Sequence, residues 1–453
     1  MAKRETRAQE RRRALSNAAS THVPGDCDVI VIGGGAAGLA AAITAAEAGA
    51  SVVVLERDAE CGRRILATGN GRCNFANINL DASRYNDPDF VRDVCGPTWL
   101  GDVLAFFRSS GLRWCHEEDR LYPLSCQAAS VRNVLLARAR KAGVVLAGAR
   151  EVEGITYIDT YPPQSLAARQ REAGGRPDDG MRAEVACSEL FSDTGALVLP
   201  NAKAVVIASG GEALPAAIDL GLRTAPRHPV LCPIACEDSP LQELDGRRVQ
   251  ALVSLTRAGE ASSCWRERGE VLLRTYGLSG VVIFNLSRRA GAGDLVELDL
   301  APDLAAAELR ELLAPAGNGD FADGALDGVL DPTIARTLER LARDRWQPNP
   351  MAGMAPQEAP QDDCEALIAL VKRLPFLVVG AADTNHAQVM RGGFETAQLD
   401  PRTLAFRDHR WLFACGEALD VDADCGGFNL AWAWKSGMVA GAAAARKALA
   451  WSR

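Results

Sequence analysis

The sequence predicts an α/β protein that opens with the turn of a Rossmann-type dinucleotide-binding fold. Residues 26–56 have the pattern of a strand, a glycine turn, a small-residue helix and a second strand ending in an acid. Residues 411–447 have the pattern of a strand, Gly-Glu, a loop and a long helix. Between these segments, short β-branched runs give way to amphipathic helical patterns. These observations indicate a nucleotide fold that opens near the N-terminus and closes near the C-terminus.

The first motif is DCDVIVIGGGAAGLAAAITAAEAGASVVVLE, which predicts a strand over 29–32, a helix over 38–48 and a strand over 51–55. Of its G-x-G-x-x-G glycines, one allows the tight turn, one admits a pyrophosphate to the backbone, and one lets helix and strand pack. The diphosphate then meets amide groups at a helix N-terminus. The predicted contacts in this turn are Gly33, Gly35, Ala36, Ala37 and Gly38.

An acidic residue ends the second predicted strand. Glu56 stands where a carboxylate accepts the ribose hydroxyls of a dinucleotide, and Arg57 beside it is a further predicted contact. An acid rather than an arginine at this position favours an unphosphorylated ribose, hence FAD or NAD.

Two later segments favour a flavin. AKAVVIASGG, residues 202–211, predicts a buried strand ending in a glycine pair that includes Gly210, and Gly416-Glu417 follows a strand before the last helix. Each alone is an ordinary αβ connection, but together they resemble two-dinucleotide-binding-domain flavoproteins. That resemblance implies that the Glu417 carboxylate binds the ribityl-phosphate region and that amides opening the last helix face the flavin pyrimidine. Such a helix end stabilises negative charge on a reduced flavin by about 0.3–1 kcal/mol at an exposed site.

Four segments identify a family by their order. They are GRRILATGNGRCNFAN, RLYPLSCQAASVRNVL, GEVLLRTYGLSGVVIFNLS and LFACGEALDVDADCGGFNLAWAWKSG. They resemble the bacterial FAD-dependent oxidoreductases that include 3-dehydro-bile-acid delta-4,6-reductase, aminoacetone oxidase and ribosomal-RNA dihydrouridine synthase, over about residues 27–445. The resemblance implies bound FAD and a split Rossmann-like FAD-binding domain, with an inserted β-barrel-like domain carrying a small helical subdomain. The substrate stays open, because the family's members act on unrelated molecules.

The loop at 62–74 is expected to lie along the FAD diphosphate and ribityl chain. Its glycines let backbone amides approach, and its arginines offset phosphate charge. Cys73 is expected to be a packed residue rather than a catalytic thiol, since no partner cysteine or histidine is visible in the sequence. The expected contacts in this loop and at the last helix are Arg64, Gly69, Asn70, Arg72, Cys73, Asn74, Gly426, Gly427, Phe428 and Asn429.

The predicted domain organisation has five parts. They are a disordered basic tail at 1–25, FAD-binding segments at 26–225 and 375–453, a β-barrel-like substrate domain at 226–302 and a helical subdomain at 303–374. Strands are expected at 248–257, 270–274, 281–287 and 295–300. Helices are expected at 303–317, 331–346 and 363–374, with Asp331 capping the second.

Three places depart from the family pattern or interrupt the domains. Residues 157–181 are expected to form a polar solvent loop, and residues 212–223 replace a Gly/Ser/Asp-rich loop. Asp424-Cys425 stands where Pro and Thr are commoner in the family. Cys425 is expected to fit simply as a small residue; the alternative is that it faces the flavin and changes the local proton donor or redox sensitivity.

Composition limits the classes of function. The net charge of −8 offers no global attraction to nucleic acid or an anionic membrane. No run of apolar residues is long enough to span a bilayer, and no apolar region follows the basic residues 11–13 as a signal peptide requires. The 13 cysteines include no C-x-x-C pair, which favours reduced thiols in a cytoplasmic protein and neither a zinc site nor a redox disulfide.

The implied chemistry needs a hydride and a proton. Flavin N5 carries the hydride, and a weak acid near the substrate supplies the proton to a conjugated C=C bond. Tyr122 and Tyr276 are the candidate catalytic acids, with His116 and His228 as further titratable groups; Ser279 is expected in a turn. A second G-x-G-x-x-G is missing from the sequence. NAD(P)H is therefore expected to dock transiently over the flavin, unless oxygen or another partner exchanges the electrons.

The sequence thus favours NAD(P)H-linked reduction of a bile-acid or steroid enone and leaves three alternatives. One is a ribosomal-RNA dihydrouridine synthase, using the basic tail with Arg63, Arg64 and Arg72 on phosphates. The others are an amine oxidase of the aminoacetone type and a flavin-binding redox sensor without turnover. A small-molecule substrate is expected and nucleic acid is disfavoured; the oligomeric state is left open.

Overall fold

The computed structural model describes residues 7–159, 181–190, 197–210, 220–237, 242–313, 320–346 and 360–450. The polar loop expected at 157–181 and the shortened loop at 212–223 lie mainly outside these residues. The chain forms two compact units. The first unit comprises the residues up to His228 together with those from Met390 onward, and the second unit comprises Pro229–Val389.

The helices and strands are numbered in chain order. The described helices are α1 Arg7–Ala19, α2 Ala36–Glu47, α3 Pro88–Cys95, α4 Trp99–Ser109, α5 Ala128–Lys141, α6 Val281–Ser287, α7 Ala306–Leu313, α8 Pro332–Arg343, α9 Asp363–Lys372 and α10 Phe428–Ala450. The strands of the first unit, with the two that connect the units, are β1 Asp26–Ile32, β2 Val52–Leu55, β3 Ala76–Asn77, β4 Trp114–Glu117, β5 Arg120–Pro123, β6 Val145–Ala147, β7 Arg150–Asp159, β8 Met181–Glu189, β9 Leu197–Val198, β10 Asn201–Ile207, β11 Thr224–Val230, β18 Val389–Phe394 and β19 Leu412–Ala414. The strands of the second unit are β12 Ile234–Cys236, β13 Arg248–Thr256, β14 Ser263–Arg274, β15 Gly277–Ser279, β16 Leu295–Asp299 and β17 Leu374–Ala381.

The first unit is built on a mixed sheet with the order β6-β2-β1-β10-β8-β7, in which β19 also pairs with β10 and β9 with β8. The pairings among β6, β2, β1, β10 and β19 are all parallel. Val29–Ile32 in β1 is fully or almost fully buried, as expected of a strand covered on both faces. A small antiparallel sheet, β3-β5-β4, adjoins this fold.

Helix α10 packs closely against helix α2. A Cβ atom added to Gly437 would lie 2.3 Å from the Ala37 carbonyl oxygen, and one added to Gly441 would lie 2.2 Å from that of Ala41. Glycine is therefore needed at both positions if the helix backbones are to approach this closely. The contact fixes the N-terminal turn of α2 against a helix that comes from the other end of the chain.

The second unit contains a closed barrel with the strand order β12-β15-β14-β13-β16-β17. The pairings are antiparallel, and β17 closes the barrel against β12. Leu309 of α7, Leu338 of α8 and Leu367 of α9 share an apolar core with barrel residues such as Val253. This confirms the predicted architecture, an α/β protein with an inserted barrel that carries a helical part.

The three helices predicted in this part correspond to α7, α8 and α9. Asp331 caps α8 as predicted, because its Oδ1 accepts hydrogen bonds from the backbone N–H groups of Thr333 and Ile334 at 2.9 and 3.3 Å. Among the described helices, none has the length and apolar content that crossing a membrane requires.

The strand predicted at 281–287 is wrong, because these residues form helix α6. Val282, Ile283 and Leu286 are buried while Val281 is exposed, which is helical rather than alternating spacing. Ser279, expected in a turn, lies buried in strand β15. The predicted boundaries at 226 and 375 also differ from the structure, since the second unit begins at Pro229 and continues through β17 to Val389.

The basic tail expected to be disordered contains helix α1. Leu15 of this helix is buried. The buried Arg150 donates hydrogen bonds to the carbonyl oxygens of Ala19 and Thr21 at 2.7 and 3.2 Å. One apolar side chain and two backbone carbonyls, one at the end of the helix and one after it, thus have partners in the first unit.

Candidate functional site

The glycine turn after β1 lies at the N-terminus of α2. Gly33 has a φ of +99°, and a Cβ atom on Gly38 would lie 1.9 Å from the Gly33 carbonyl oxygen. A Cβ atom on Gly35 would have no neighbour within 4 Å. Gly33 and Gly38 are therefore required by the fold itself, whereas Gly35 borders open space at a helix N-terminus, where a diphosphate can be held.

Glu56 is held against this turn by two backbone hydrogen bonds. Its Oε2 accepts from the Gly34 N–H at 2.6 Å, and its Oε1 accepts from the Asp58 N–H at 2.8 Å. Burial raises the pKa of the Glu56 carboxyl. The predicted ribose-binding acid thus stands at the end of β2 next to the glycine turn, while Arg57 is exposed at the surface.

The raised pKa of Glu56 predicts a pH dependence of stability. The folded apoprotein favours the protonated Glu56 carboxyl more than the unfolded chain does. The resulting contribution to the free energy of unfolding is fully present below the ordinary glutamate pKa. That contribution is lost as the pH rises through the raised pKa. We expect the free energy of unfolding to fall over this interval by more in the wild type than in Glu56→Gln, which cannot titrate. Denaturant unfolding at several pH values measures the difference, and superimposable profiles would contradict it.

Four of the predicted contacts, Arg64, Gly210, Gly416 and Glu417, lie near one another. The Arg64 Nη1 lies 4.0 Å from the Glu417 Oε2, and a Cβ atom on Gly210 would lie 3.4 Å from the same oxygen. The Glu417 Oε1 accepts a hydrogen bond from the Met390 N–H at 2.6 Å. A Cβ atom on Gly416 would lie 2.5 Å from the Ala37 Cβ, so the Gly-Glu pair sits directly against the start of α2.

The loop at 62–74 is a short helical segment, Arg63–Gly71, broken by a kink at Thr68, Gly69 and Asn70. Cys73 is fully buried, and burial raises the pKa of its thiol to about 11. A buried, protonated thiol fits the expected packing role rather than a nucleophile.

Asn74 joins this loop to the glycine pair that precedes α10. A Cβ atom on Gly69 would lie 2.8 Å from the Asn74 backbone nitrogen, and one on Gly427 would lie 2.7 Å from the Asn74 Oδ1. The Oδ1 atom is buried and accepts no hydrogen bond from the described part of the protein. Buried acceptors are normally satisfied, so this atom is suited to a donor on a bound ligand.

The segment before α10 is held by residues that the sequence analysis did not single out. The Asn77 Nδ2 donates to the Gly426 carbonyl at 3.0 Å, and the Tyr85 hydroxyl donates to the Phe428 carbonyl at 2.6 Å. Asn429, a predicted contact, instead turns its side chain back to the Ala423 N–H and carbonyl at 2.9 and 2.8 Å. Asn77 is the last residue of the motif GRRILATGNGRCNFAN, and its place in that motif was the one sign in the sequence of its role.

An ion pair anchors the same segment. Arg391 on β18 forms two hydrogen bonds to the carboxylate of the fully buried Asp422, Nε to Oδ1 at 2.7 Å and Nη2 to Oδ2 at 2.9 Å. Asp424 is also buried and lies 3.7 Å from Arg84 Nη1, while Cys425 beside it is half-buried. The two partners of each pair are distant in sequence, so local patterns do not reveal them.

The candidate acids lie on different units. Tyr122 is buried on β5 of the first unit, with the Arg72 guanidinium carbon 4.3 Å from its ring centroid. Arg72, expected at a phosphate, also pairs with Glu117, Nη1 to Oε2 at 3.0 Å. Tyr276 lies between β14 and β15 of the second unit, and burial raises its pKa.

The remaining titratable candidates lie at the surface. His116 on β4 and His228 on β11 are both exposed. No group of three His, Cys, Asp or Glu side chains suited to a metal ion occurs among the residues that the structure describes.

Comparison with known proteins places these features in a family. The model of the HI0933-like protein Rossmann domain matches residues 27–174 and 198–443. The 3-dehydro-bile acid delta(4,6)-reductase of Clostridium scindens is 31% identical over 434 residues, which cover 92% of this chain and 98% of the relative. The ribosomal RNA dihydrouridine synthase of Escherichia coli is 27% identical over 414 residues, covering 90% and 96%. That of Haemophilus influenzae is 25% identical over 423 residues, covering 90% and 96%.

These matches confirm the resemblance stated from the ordered motifs. The family match spans both segments of the first unit and all of the second. The chain therefore belongs to the HI0933-like family of Rossmann-domain proteins and is an FAD-dependent oxidoreductase.

Proposed function

We propose that the protein is an FAD-dependent reductase of a conjugated C=C bond in a small molecule of the bile-acid or steroid-enone type, with NAD(P)H as the electron donor. The observation that carries the proposal is the 31% identity to the bile acid reductase over nearly the whole of both chains. The matched length is enough to include the glycine turn with Glu56, the Gly416-Glu417 pair and the inserted barrel.

The residues of the first unit fit FAD. Gly35 borders free space at the N-terminus of α2, and Asn74 presents a buried oxygen that finds no donor among the described residues. In the proposed mode, Glu56 holds the adenosine ribose, and the amides of Ala36 and Ala37 meet the diphosphate. The other proposed contacts are Arg64, Gly210 and Glu417 along the diphosphate and ribityl chain, and Asn74 with Gly426, Gly427 and the first turn of α10 near the pyrimidine ring.

When bound, FAD supplies the hydride transfer, and the protein supplies orientation and a proton. Reduction of an enone needs a weak acid beside the carbon that does not receive the hydride. Because burial raises the pKa of Tyr276, its phenol keeps its proton at neutral pH and is suited to donate it. Tyr122 is the second candidate, and Tyr122→Phe and Tyr276→Phe are expected to differ in turnover if only one acts.

The Asn74 side chain gives a test of FAD binding that is separate from turnover. Asn74→Ala is expected to change the free energy of unfolding of the apoprotein by less than about 1 kcal/mol, because Oδ1 accepts no hydrogen bond from the residues that the structure describes. The same variant is expected to bind FAD up to about tenfold more weakly, the equivalent of one hydrogen bond. Thermal melts of the apoprotein and fluorescence titration with FAD measure the two effects. Asn77→Ala is the control, because it removes the bond to the Gly426 carbonyl and should destabilise the apoprotein.

The proposed activity is tested under anaerobic conditions. NADH or NADPH is added to the yellow protein, followed by a 3-oxo-4,6-diene steroid. We expect the flavin absorbance to bleach with one nucleotide and to return with the steroid. Bleaching by neither nucleotide would remove NAD(P)H as the donor, and direct bleaching by aminoacetone would indicate an amine oxidase instead.

Ribosomal RNA is the second candidate substrate, favoured by the similarity to the E. coli dihydrouridine synthase. Charge pairing counts against it. Arg63 pairs with Asp58 at 2.8 Å, Arg72 pairs with Glu117, and Arg64 lies 4.0 Å from Glu417. Arginines already paired with carboxylates attract phosphates less strongly. Loss of dihydrouridine from ribosomal RNA in a deletion strain would overturn the small-molecule assignment.

A further inference from the structure

Cys115 lies on one face of the small β3-β5-β4 sheet of the first unit, and Cys126 follows the middle strand of that sheet. Cys115 on β4 stands directly opposite Tyr122 on β5, and Glu117 lies two residues further along β4. Side chains two apart on a strand, and those directly opposite across a ladder, point to the same face. Cys115, Glu117 and Tyr122 therefore share this face.

Cys126 lies in the turn after β5 and contacts Arg72, which also contacts this face of the sheet. The Cys126 N–H donates to the Pro123 carbonyl at 2.7 Å, and Cys126 has a φ of +51°. Nη2 of Arg72 donates to the Cys126 Sγ at 3.6 Å, while the same guanidinium pairs with Glu117 and covers the Tyr122 ring. The Arg72 guanidinium thus contacts both Cys126 and two side chains, Glu117 and Tyr122, from the face that carries Cys115.

The two thiols lie near each other. The Cys115 Sγ donates to the Tyr122 carbonyl at 3.9 Å. Burial and the neighbouring Cys126 thiol both raise the pKa of Cys115. Both cysteines are only partly buried, so an oxidant in solution can reach them. A partly exposed cysteine beside an arginine has the environment in which thiols react as nucleophiles.

We propose that Cys115 and Cys126 form a reversible disulfide, making this face of the first unit a peroxide-sensitive site. In the first step the Cys126 sulfur attacks one peroxide oxygen, the O–O bond breaks, and a sulfenic acid and water form. The Cys115 sulfur then attacks the sulfenic sulfur, the S–O bond breaks, and a second water leaves with the Cys115 proton. Two thiols lose two electrons in total, and one hydrogen peroxide is reduced to two waters.

The disulfide would change contacts around a candidate acid. Its formation withdraws the Cys126 Sγ from Arg72, the residue that covers Tyr122. It also ties β4 to the turn that follows Tyr122. Sequence spacing alone does not reveal this pair of thiols, because residues 115 and 126 do not form a C-x-x-C pattern.

Mass spectrometry of the full-length protein tests the proposal. The reduced protein is treated with hydrogen peroxide, remaining thiols are alkylated, and the protein is digested with trypsin without reduction. Trypsin separates WCHEEDR, residues 114–120, from LYPLSCQAASVR, residues 121–132, so a disulfide joins two distinct peptides. We expect the linked pair to appear as both alkylated peptides disappear, and dithiothreitol to reverse the change.

Cys264 supplies the internal control, because it is exposed and its tryptic peptide, AGEASSCWR, is separate. Cys264→Ser should leave the cross-link unchanged, and Cys115→Ser should leave a sulfenic acid at Cys126 that a sulfenate-specific reagent traps. The proposal is overturned if Cys115 and Cys126 remain fully alkylated under conditions that oxidise Cys264. It is also overturned if Cys126 is oxidised in the wild type without linking to Cys115. The wild-type measurement needs no variant to fold.

Discussion

Replacing Gly35 by alanine is expected to weaken FAD binding by about ten- to a hundredfold, an overpacking cost of roughly 1–3 kcal/mol, while the apoprotein still folds. The added Cβ atom meets no protein atom within 4 Å, and the φ of −74° suits an L-residue. In the proposed binding mode, the methyl group instead fills the space through which the diphosphate reaches the amides of α2. Fluorescence titration of the apoprotein with FAD gives the affinity, and its thermal melt gives the stability.

Gly38→Ala is the matched comparison in the same turn. Its Cβ atom would lie 1.9 Å from the Gly33 carbonyl oxygen, so the turn must move before any cofactor binds. We expect this variant to lose apoprotein stability as well as FAD affinity. Wild-type FAD affinity in Gly35→Ala would show that the diphosphate does not approach this glycine.

Arg391→Leu is expected to lower the free energy of unfolding by about 3–5 kcal/mol, because it leaves the Asp422 carboxylate buried without its arginine. Asp422 lies in the segment that leads to Gly426 and α10. We therefore also expect weaker FAD binding in whatever fraction of the variant stays folded. Denaturant unfolding of the apoprotein measures the main effect.

Arg92→Leu controls for the loss of an arginine. Arg92 pairs with Asp89 at 2.6 Å, but the two side chains are 64% and 86% exposed. Exposed pairs contribute little, so this variant should stay within about 1 kcal/mol of the wild type. Equal stability changes in the two variants would contradict the role given to burial.

Local chemistry explains what the sequence could predict. The glycine turn, Glu56 and the Gly-Glu pair have roles that depend on residue type and short spacing, and the structure brings these residues around the start of α2. Helix α8 was predictable for the same reason, since Asp331 followed by proline is a local start signal.

Tertiary pairing explains what the sequence could not predict. The run at 281–287 is short, apolar and β-branched, so periodicity did not separate helix α6 from a strand. Strand β17 belongs to the barrel because it pairs with β16 and β12, which are distant in sequence. The pairing of Arg72 with Glu117 of β4 likewise joins residues that are distant in sequence.

The most direct test of the proposed function bypasses the electron donor. The protein is reduced anaerobically with dithionite to its colourless form, excess reductant is removed, and a 3-oxo-4,6-diene steroid is added. We predict that the yellow absorbance of oxidised flavin returns in proportion to the steroid added, with one C=C bond reduced for each flavin reoxidised. Flavin that stays reduced with the steroid yet is reoxidised by oxygen would contradict the proposed reduction of a steroid enone.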